Sequence, residues 1–285
     1  MEKKCCCKGN CMEYGLKVKV YENADLMGAA AAKKAAGILK KYTVEKKKEV
    51  LCVFAAAPSQ DTFLAHLSKE EDIDWKKITA FHLDEYLDLA RNHPNTFEVY
   101  LRKNIFEKVG IPDTNVNFIK AMSGTPQEIA ASYGDKIQKA VEKVRKAGGI
   151  YMAFIGIGVN GHIAFNEPGT DIYSSRWVLP IEIDDVSVKQ QFDDYKNHPD
   201  PAARYATLAD VPRKALTMSC AAILEADKIL TLVPGNQKAD AVQKALEGPV
   251  TPLLPASLLR QHRSTVLYLN CDSAEKINPA PAVKK

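Results

Sequence analysis

Ile150-Tyr151-Met152-Ala153-Phe154-Ile155-Gly156 is an unbroken apolar run that stops on a glycine. A run this short, without polar alternation, suits a parallel strand covered on both faces. Just upstream, residues 127–147 carry a long, charged, amphipathic pattern closed by Gly148-Gly149, which predicts a helix leading into that strand. Working outward, the alternation repeats. Strands are predicted over residues 16–20, 50–55, 78–83, 177–183, 215–219, 228–233 and 265–269. Helices are predicted over residues 24–41, from near Ser59 to Leu67, after an Asn95 cap, over 238–247 and over 256–259. Such βαβα alternation specifies an α/β fold: a single Rossmann-like domain with a mostly parallel sheet flanked by helices. Residues 184–212 break the pattern with mixed charge and His198-Pro199-Asp200-Pro201, so a lid-like irregular segment or insertion is expected at about 170–212. The expected division is a Cys-rich, disordered start at 1–15, the α/β domain at 16–273 and a tail at 274–285.

The 285 residues are 46% hydrophobic, enough for a core on both faces of a sheet. A formal charge of +4 from 39 basic and 35 acidic residues is nearly balanced. Its lysine runs, such as Lys46-Lys47-Lys48, read as solvated faces and not as a nucleic-acid stripe. No stretch reaches the roughly 18 apolar residues of a membrane span, and no apolar segment follows the basic start as a secretory signal requires. A cytoplasmic protein with reduced thiols is therefore expected, with no nucleic-acid or membrane partner. Cys52, Cys220 and Cys271 sit in apolar contexts and are expected as small buried core residues. Cys5, Cys6, Cys7 and Cys11 lack the C-x₂-C spacing of folded zinc sites, so no metal is assigned to them. A homo-oligomer is compatible with the sequence, which does not set the oligomeric state.

In an open parallel sheet, ligands bind beyond the carboxyl ends of the strands, and four predicted strand exits carry chemistry. Asp84-Glu85 follows the strand at 78–83. One of two adjacent carboxylates in a partly buried site can acquire a raised pKa and act as a general base; the competing reading is an N-cap acid. Gly156 to His162 contains G-x-G-x-x-G, but Pro168 soon after precludes the long helix that would receive a pyrophosphate. The glycines are instead expected to bring backbone close to a small substrate, with His162 and Glu167 facing the same crevice. Val233-Pro234-Gly235-Asn236-Gln237-Lys238 pairs a turn and helix start with a lysine, the makings of an anion site. The fourth exit is Ala55-Ala56-Ala57-Pro58-Ser59.

Taken together, these segments resemble the glucosamine-6-phosphate deaminase/isomerase family. Phe81-His82-Leu83-Asp84-Glu85-Tyr86 with His93-Pro94 is similar to its F-x-x-D-E-Y…H-P segment. GIGVNGHIAFNEP at 156–168 is similar to G-x-G-x-D-G-H-I-A-F-N-E-P, and Gly235 to Ala239 to G-x-x-K-A. The resemblance implies conversion of glucosamine 6-phosphate, or a close epimer, to the ketose phosphate and ammonia without metal or organic cofactor. It implies that Asp84 moves a proton between C2 and C1. His162 would assist ring opening, supported by Glu167, while Lys238 holds the phosphate. Asn160 stands where the family has Asp, and is expected to offer the imidazole a neutral hydrogen bond through its amide oxygen. The family's phosphate loop T-G-x-T-P is replaced by Ala55 to Ser59, so Ala55, Ala56, Ser59, Glu85, Gly158 and Gly161 are expected to wall the substrate with Lys238. A 6-phosphogluconolactonase is the nearest alternative, although its segments run toward S-L-F-P and D-E-R. A non-catalytic sugar-phosphate-binding protein is another.

Overall fold

The computed structural model describes residues 11–278. Its main sheet begins with β2 (Lys17–Tyr21) and continues with β3 (Val50–Phe54), β4 (Ile78–His82), β6 (Val116–Asn117), β7 (Ile150–Ile155), β10 (Lys228–Val233) and β11 (Thr265–Asn270). The spatial order is β2-β11-β10-β7-β3-β4-β6, all parallel, with β1 (Cys11–Glu13) added antiparallel at the β2 edge.

Both faces of the central strands are covered, as their unbroken hydrophobicity requires. Along β3, Val50, Cys52 and Phe54 enter one core while Leu51 and Val53 enter the other. The first core receives Met27, Ala31, Ala35 and Leu39 of α1 (Ala24–Lys40), with Phe63 and Leu64 of α2 (Asp61–Leu67). On the opposite face lie Tyr133, Ile137 and Val141 of α4 (Pro126–Lys146) and Val242 of α7 (Ala239–Glu247). Helix α4 starts where its sequence says it should. Thr125 Oγ1 accepts from Glu128 N–H and Glu128 Oε2 accepts from Thr125 N–H, a capping box followed by Pro126.

Several expectations are corrected. The segments at 177–183 and 215–219 do form strands, β8 (Val178–Glu182) and β9 (Lys214–Met218), but outside the main sheet. They pair antiparallel with each other and with β5 (Asp84–Tyr86) in a separate three-stranded sheet. The strand-to-strand alternation of the sequence carries no record of which sheet a strand joins. Within the expected irregular segment, Asp185–Tyr195 is a regular helix, α5, whose apolar residues are too few to advertise it. The helix α3 (Phe97–Leu101) is capped by Thr96 and not by Asn95, whose amide donates to Ala203 O. Residues 256–259 lie in a 3₁₀ helix, Pro255–Gln261. Cys11–Glu13 pairs with β2, and Lys276 bonds Asp240 of α7 at 2.8 Å, so neither the expected start nor the expected tail is wholly peripheral. Cys52 and Cys220 are buried and free, whereas Cys271 is half-buried and engaged in a disulfide. Cys5, Cys6 and Cys7 lie outside the described residues. No helix among the described residues is long and apolar enough to cross a membrane.

The α1–α2 contact depends on one missing methyl group. A Cβ on Gly28 would stand 2.4 Å from Thr62 Oγ1 and 2.7 Å from the Thr62 carbonyl carbon. Because backbone is involved, rotating a side chain cannot relieve the clash. Gly28→Ala is expected to destabilise: overpacking costs about 1–3 kcal/mol, against a helix-propensity gain of about 1 kcal/mol. A lowered urea midpoint at unchanged slope is the outcome to look for.

Candidate active site

The sheet order contains a reversal. From β3 the chain proceeds to β4 on one side, whereas from β7 it proceeds to β10 and β11 on the other, and β3 and β7 are neighbours. Loops leaving their carboxyl ends therefore diverge and open a crevice. A cleft of about 240 Å³ occupies it, lined from β3 by Ala55 to Ser59, from β4 by Leu83 and Asp84, and from β7 by Gly156 to Gly158 and His162. The β10 exit adds Pro234, Gly235 and Lys238, and α5 adds Gln190, Gln191 and Asp194.

At Leu83 the chain changes partners. Leu83 N–H still donates to Phe54 O in the main sheet, but Leu83 O accepts from Met218 N–H of β9. The turn leaves Asp84 on the cleft wall and Glu85 behind it. Glu85 is fully buried and accepts three backbone N–H bonds, from Tyr86, Phe97 and Glu98 at 3.0–3.1 Å. It anchors α3 and does not line the cleft, which corrects its expected place among the substrate contacts. Asp84 has no such donors among the described residues. Burial pushes its carboxyl well above the ordinary carboxylate range, and the charge of Glu85 pushes the same way. Burial raises Glu85 too, to about 7, against the pull of its N–H donors. Of the pair, Glu85 is the one equipped with donors that stabilise an anion.

The turn after β7 is pinned from below. Asn166 Nδ2 donates to Ile163 O at 2.8 Å and Met218 O at 2.7 Å, and Phe165 N–H donates to Thr217 Oγ1 at 2.9 Å. These bonds set His162 at the cleft wall with Glu167 behind it. His162 Nδ1 lies 2.9 Å from Ser187 Oγ and 3.3 Å from Glu167 Oε2. Burial works to raise Glu167, but contacts with His162, Ser187 and Asn160 outweigh it and hold the carboxyl below its usual range. Gly158 approaches the imidazole itself, since a Cβ there would stand 2.2 Å from both Cε1 and Nε2. Gly161, at φ +85°, packs against Leu254 behind the cleft.

Asn160 is placed differently from its expected role. Its Oδ1 accepts from the backbone N–H of His162 at 3.1 Å, not from the ring. Its Nδ2 donates to Glu167 Oε2 at 2.7 Å and Asp184 Oδ2 at 2.9 Å. Two carboxylates converge on the amide, so an Asp at 160 would put a third acid among them.

Lys238 is buried, and its Nζ donates to Gln190 Oε1 at 2.9 Å. Burial lowers its ammonium to about 8, partly opposed by the charge of Asp194. The same Gln190 oxygen accepts from Val159 N–H at 3.0 Å. Ser59 Oγ accepts from Gln60 Nε2 at 3.1 Å, leaving its hydroxyl proton to point elsewhere. Of the residues singled out in the sequence, Ala55, Ala56, Ser59, Asp84, Gly158, His162 and Lys238 line the cleft. Asn160, Glu167, Glu85 and Gly161 stand behind it. Among the described residues no group of three or more His, Cys, Asp or Glu side chains is arranged to hold a metal ion. Sequence reading missed α5, although Asp184, Ser187, Gln190 or Gln191, and Asp194 recur at helical spacing, a polar stripe with a period of three to four.

Residues 22–268 match the family described as glucosamine-6-phosphate isomerases/6-phosphogluconolactonase. The chain belongs to that family. One relative is the glucosamine-6-phosphate deaminase of Thermoanaerobacter sp. (strain X514), 31% identical over 86% of this chain and 90% of that protein. A solved monomeric glucosamine-6-phosphate deaminase covers 90% of this chain and 98% of its own at 25% identity, with a TM-score of 0.78. The 6-phosphogluconolactonase of Trypanosoma brucei shares the fold, at 16% identity and a TM-score of 0.70 over 92% of this chain and 98% of its own. Within the family's architecture, the crevice at the strand reversal is where this chain gathers its titratable groups.

The raised carboxyl of Asp84 has a consequence for stability. A carboxyl whose folded pKa exceeds its unfolded one holds its proton more tightly in the fold. Stability is then full at low pH and falls as pH rises from about 4 through the folded value. Asp84→Asn removes the ionisation, so its melting temperature should gain on the parent's as pH rises from about 4. A difference that stays constant as pH rises contradicts the burial argument.

Proposed function

We propose that the protein is an amino-sugar-phosphate deaminase/isomerase that converts glucosamine 6-phosphate, or a close epimer, and water to the ketose 6-phosphate and ammonia. The observation that carries this reading is Asp84, a buried carboxyl without hydrogen-bond donors among the described residues, lining the same cleft as the imidazole of His162. A base for a carbon acid needs a carboxylate whose proton affinity has been raised, and one left unpaired until substrate arrives. Family membership and deaminase relatives at 31% identity point the same way.

In this reading His162 Nε2 takes the proton of the anomeric hydroxyl and delivers it to the ring oxygen, which opens the pyranose to an aldehyde. Glu167, held anionic, supports the imidazole through Nδ1. Asp84 then takes the proton from C2, giving an enolamine, and returns it to C1. Water adds at the resulting C2 imine, and ammonia leaves as the ketone forms. The phosphate lies toward Lys238, the cation supplied by the β10 exit, with Ser59 offering a hydroxyl from the β3 exit.

The direct test is to incubate the protein with glucosamine 6-phosphate and its epimers and follow ammonia and ketose phosphate together. Asp84→Asn should lower turnover by roughly 10²–10⁴-fold. Hydrolysis of 6-phosphogluconolactone in place of ammonia release would move the assignment to the lactonase branch of the family.

Lys238 makes a second, pH-dependent prediction. In the empty cleft its ammonium loses its proton as pH rises through about 8. A bound phosphate favours the charged form and lifts that pKa, so binding above about pH 8 should take up a proton. Calorimetry in buffers of different ionisation enthalpy reads this uptake directly. Lys238→Ala should abolish the uptake and weaken binding of the phosphate ester by about 1.5–3 kcal/mol, the range for a charged hydrogen bond.

A further inference from the structure

Helix α5 touches the site at more than its rim. Starting from the backbone of His162, a chain of hydrogen bonds leaves the residue and comes back to its ring. His162 N–H donates to Asn160 Oδ1 at 3.1 Å, and Asn160 Nδ2 donates to Asp184 Oδ2 at 2.9 Å. Asp184 Oδ1 accepts from Ser187 N–H at 2.7 Å, which is the N-cap bond of α5. Ser187 Oγ then lies 2.9 Å from His162 Nδ1. One turn further along, Gln190 ties the helix to Val159 N–H and to Lys238 Nζ.

We propose that Ser187 and Asp184 are positioning residues for the cleft histidine, and that α5 acts as the template that sets its tautomer and orientation. This role presupposes that the cleft is the place where a sugar ring is opened. Nδ1 faces an anionic carboxylate and a hydroxyl, so the ring proton belongs on Nδ1, hydrogen-bonded to that pair. Nε2 is left with its lone pair, on the ring edge that lies against Gly158. That edge has room only because Gly158 has no side chain. A residue that acts on a ring oxygen needs this one nitrogen presented and the other held. Ser187 suits the task because it is wholly buried, so water does not compete for its hydroxyl, and because its backbone is fixed by the cap.

The circuit also accounts for Asn160. Asp184 and Glu167 both need a donor between them, and a side-chain amide supplies two N–H bonds where a carboxylate supplies none. Asn160 and Asp184 are thus a matched pair: the acid sits on the helix, and the amide on the loop bridges it to Glu167.

Two near-isosteric variants test the proposal. Ser187→Ala removes the hydroxyl. Asp184→Asn retains an oxygen for the Ser187 N–H cap but sets an amide against the Asn160 amide, breaking the circuit without changing volume. Both should lower kcat on the cyclic substrate about tenfold with KM nearly unchanged. Both should also move the ¹⁵N shifts of His162 in the ligand-free protein away from a single Nδ1–H tautomer. Asp185→Asn, on the neighbouring exposed residue paired with Arg213, should leave rate and spectrum alone and serves as the control. An unchanged His162 spectrum in both variants overturns the proposal, and so does a changed spectrum with parental kcat. Because the spectrum needs no turnover, a parent inactive on glucosamine 6-phosphate would sink the deaminase reading while the NMR comparison still decides the positioning.

Discussion

The ladder between β3 and β7 is the constraint on which the rest of the molecule depends. Val50 pairs with Ile150, and the parallel register runs to Phe54 opposite Phe154. Both strands are buried on both faces, so slipping the register by one residue would exchange the two cores for each other. The strands end together, and their continuations leave in opposite directions. The loops leave a gap between them, and the cleft is the result. Ala55, Ala56 and Gly156 at the exits keep that gap open.

Into this gap the fold places groups whose charged forms it does not solvate well. Asp84 and Lys238 are both buried and both pushed toward neutrality, the acid upward and the base downward to about 8. Among the described residues neither is neutralised by a close ion pair: Lys238 has a glutamine oxygen, and Asp84 has no donor. Glu85, one residue away from Asp84, shows the contrast, because three backbone N–H groups occupy its carboxylate and anchor α3 to it. A site left under-satisfied when empty is one in which a polar ligand gains more than it would from a surface of paired charges.

Helix α5 closes the arrangement from the side. Its polar stripe faces the cleft where an ordinary amphipathic helix would put leucines, and it is held by side-chain hydrogen bonds to the loop carrying His162 and to Lys238. The two ends of the crevice, the imidazole and the ammonium, therefore share one rigid support. Directional bonds to a helix define side-chain orientation more tightly than an apolar contact of the same area, which suits a wall that must present one nitrogen of a ring.

How much of this was legible beforehand follows from the range of each interaction. Runs such as residues 150–155 and 228–233, with Gly or Pro just beyond, placed the central strands to within a residue, because burial on both faces leaves an unbroken apolar signature. The same logic put Ala55, Ser59, Asp84, His162 and Lys238 at strand exits, and in a parallel sheet strand exits lie on one edge. Three things were decided only by tertiary structure. Strands β8 and β9 left the main sheet to pair with β5, since a strand's partner is a long-range choice that its own pattern does not encode. Asn160 turned its amide toward two acids and away from the imidazole, because one of those acids, Asp184, comes from a helix 24 residues further along the chain. And of two adjacent carboxylates that look alike in sequence, Asp84 faced the cleft while Glu85 anchored the start of α3, a difference set by the alternation of side chains along β5 and by where Phe97 and Glu98 bring their N–H groups.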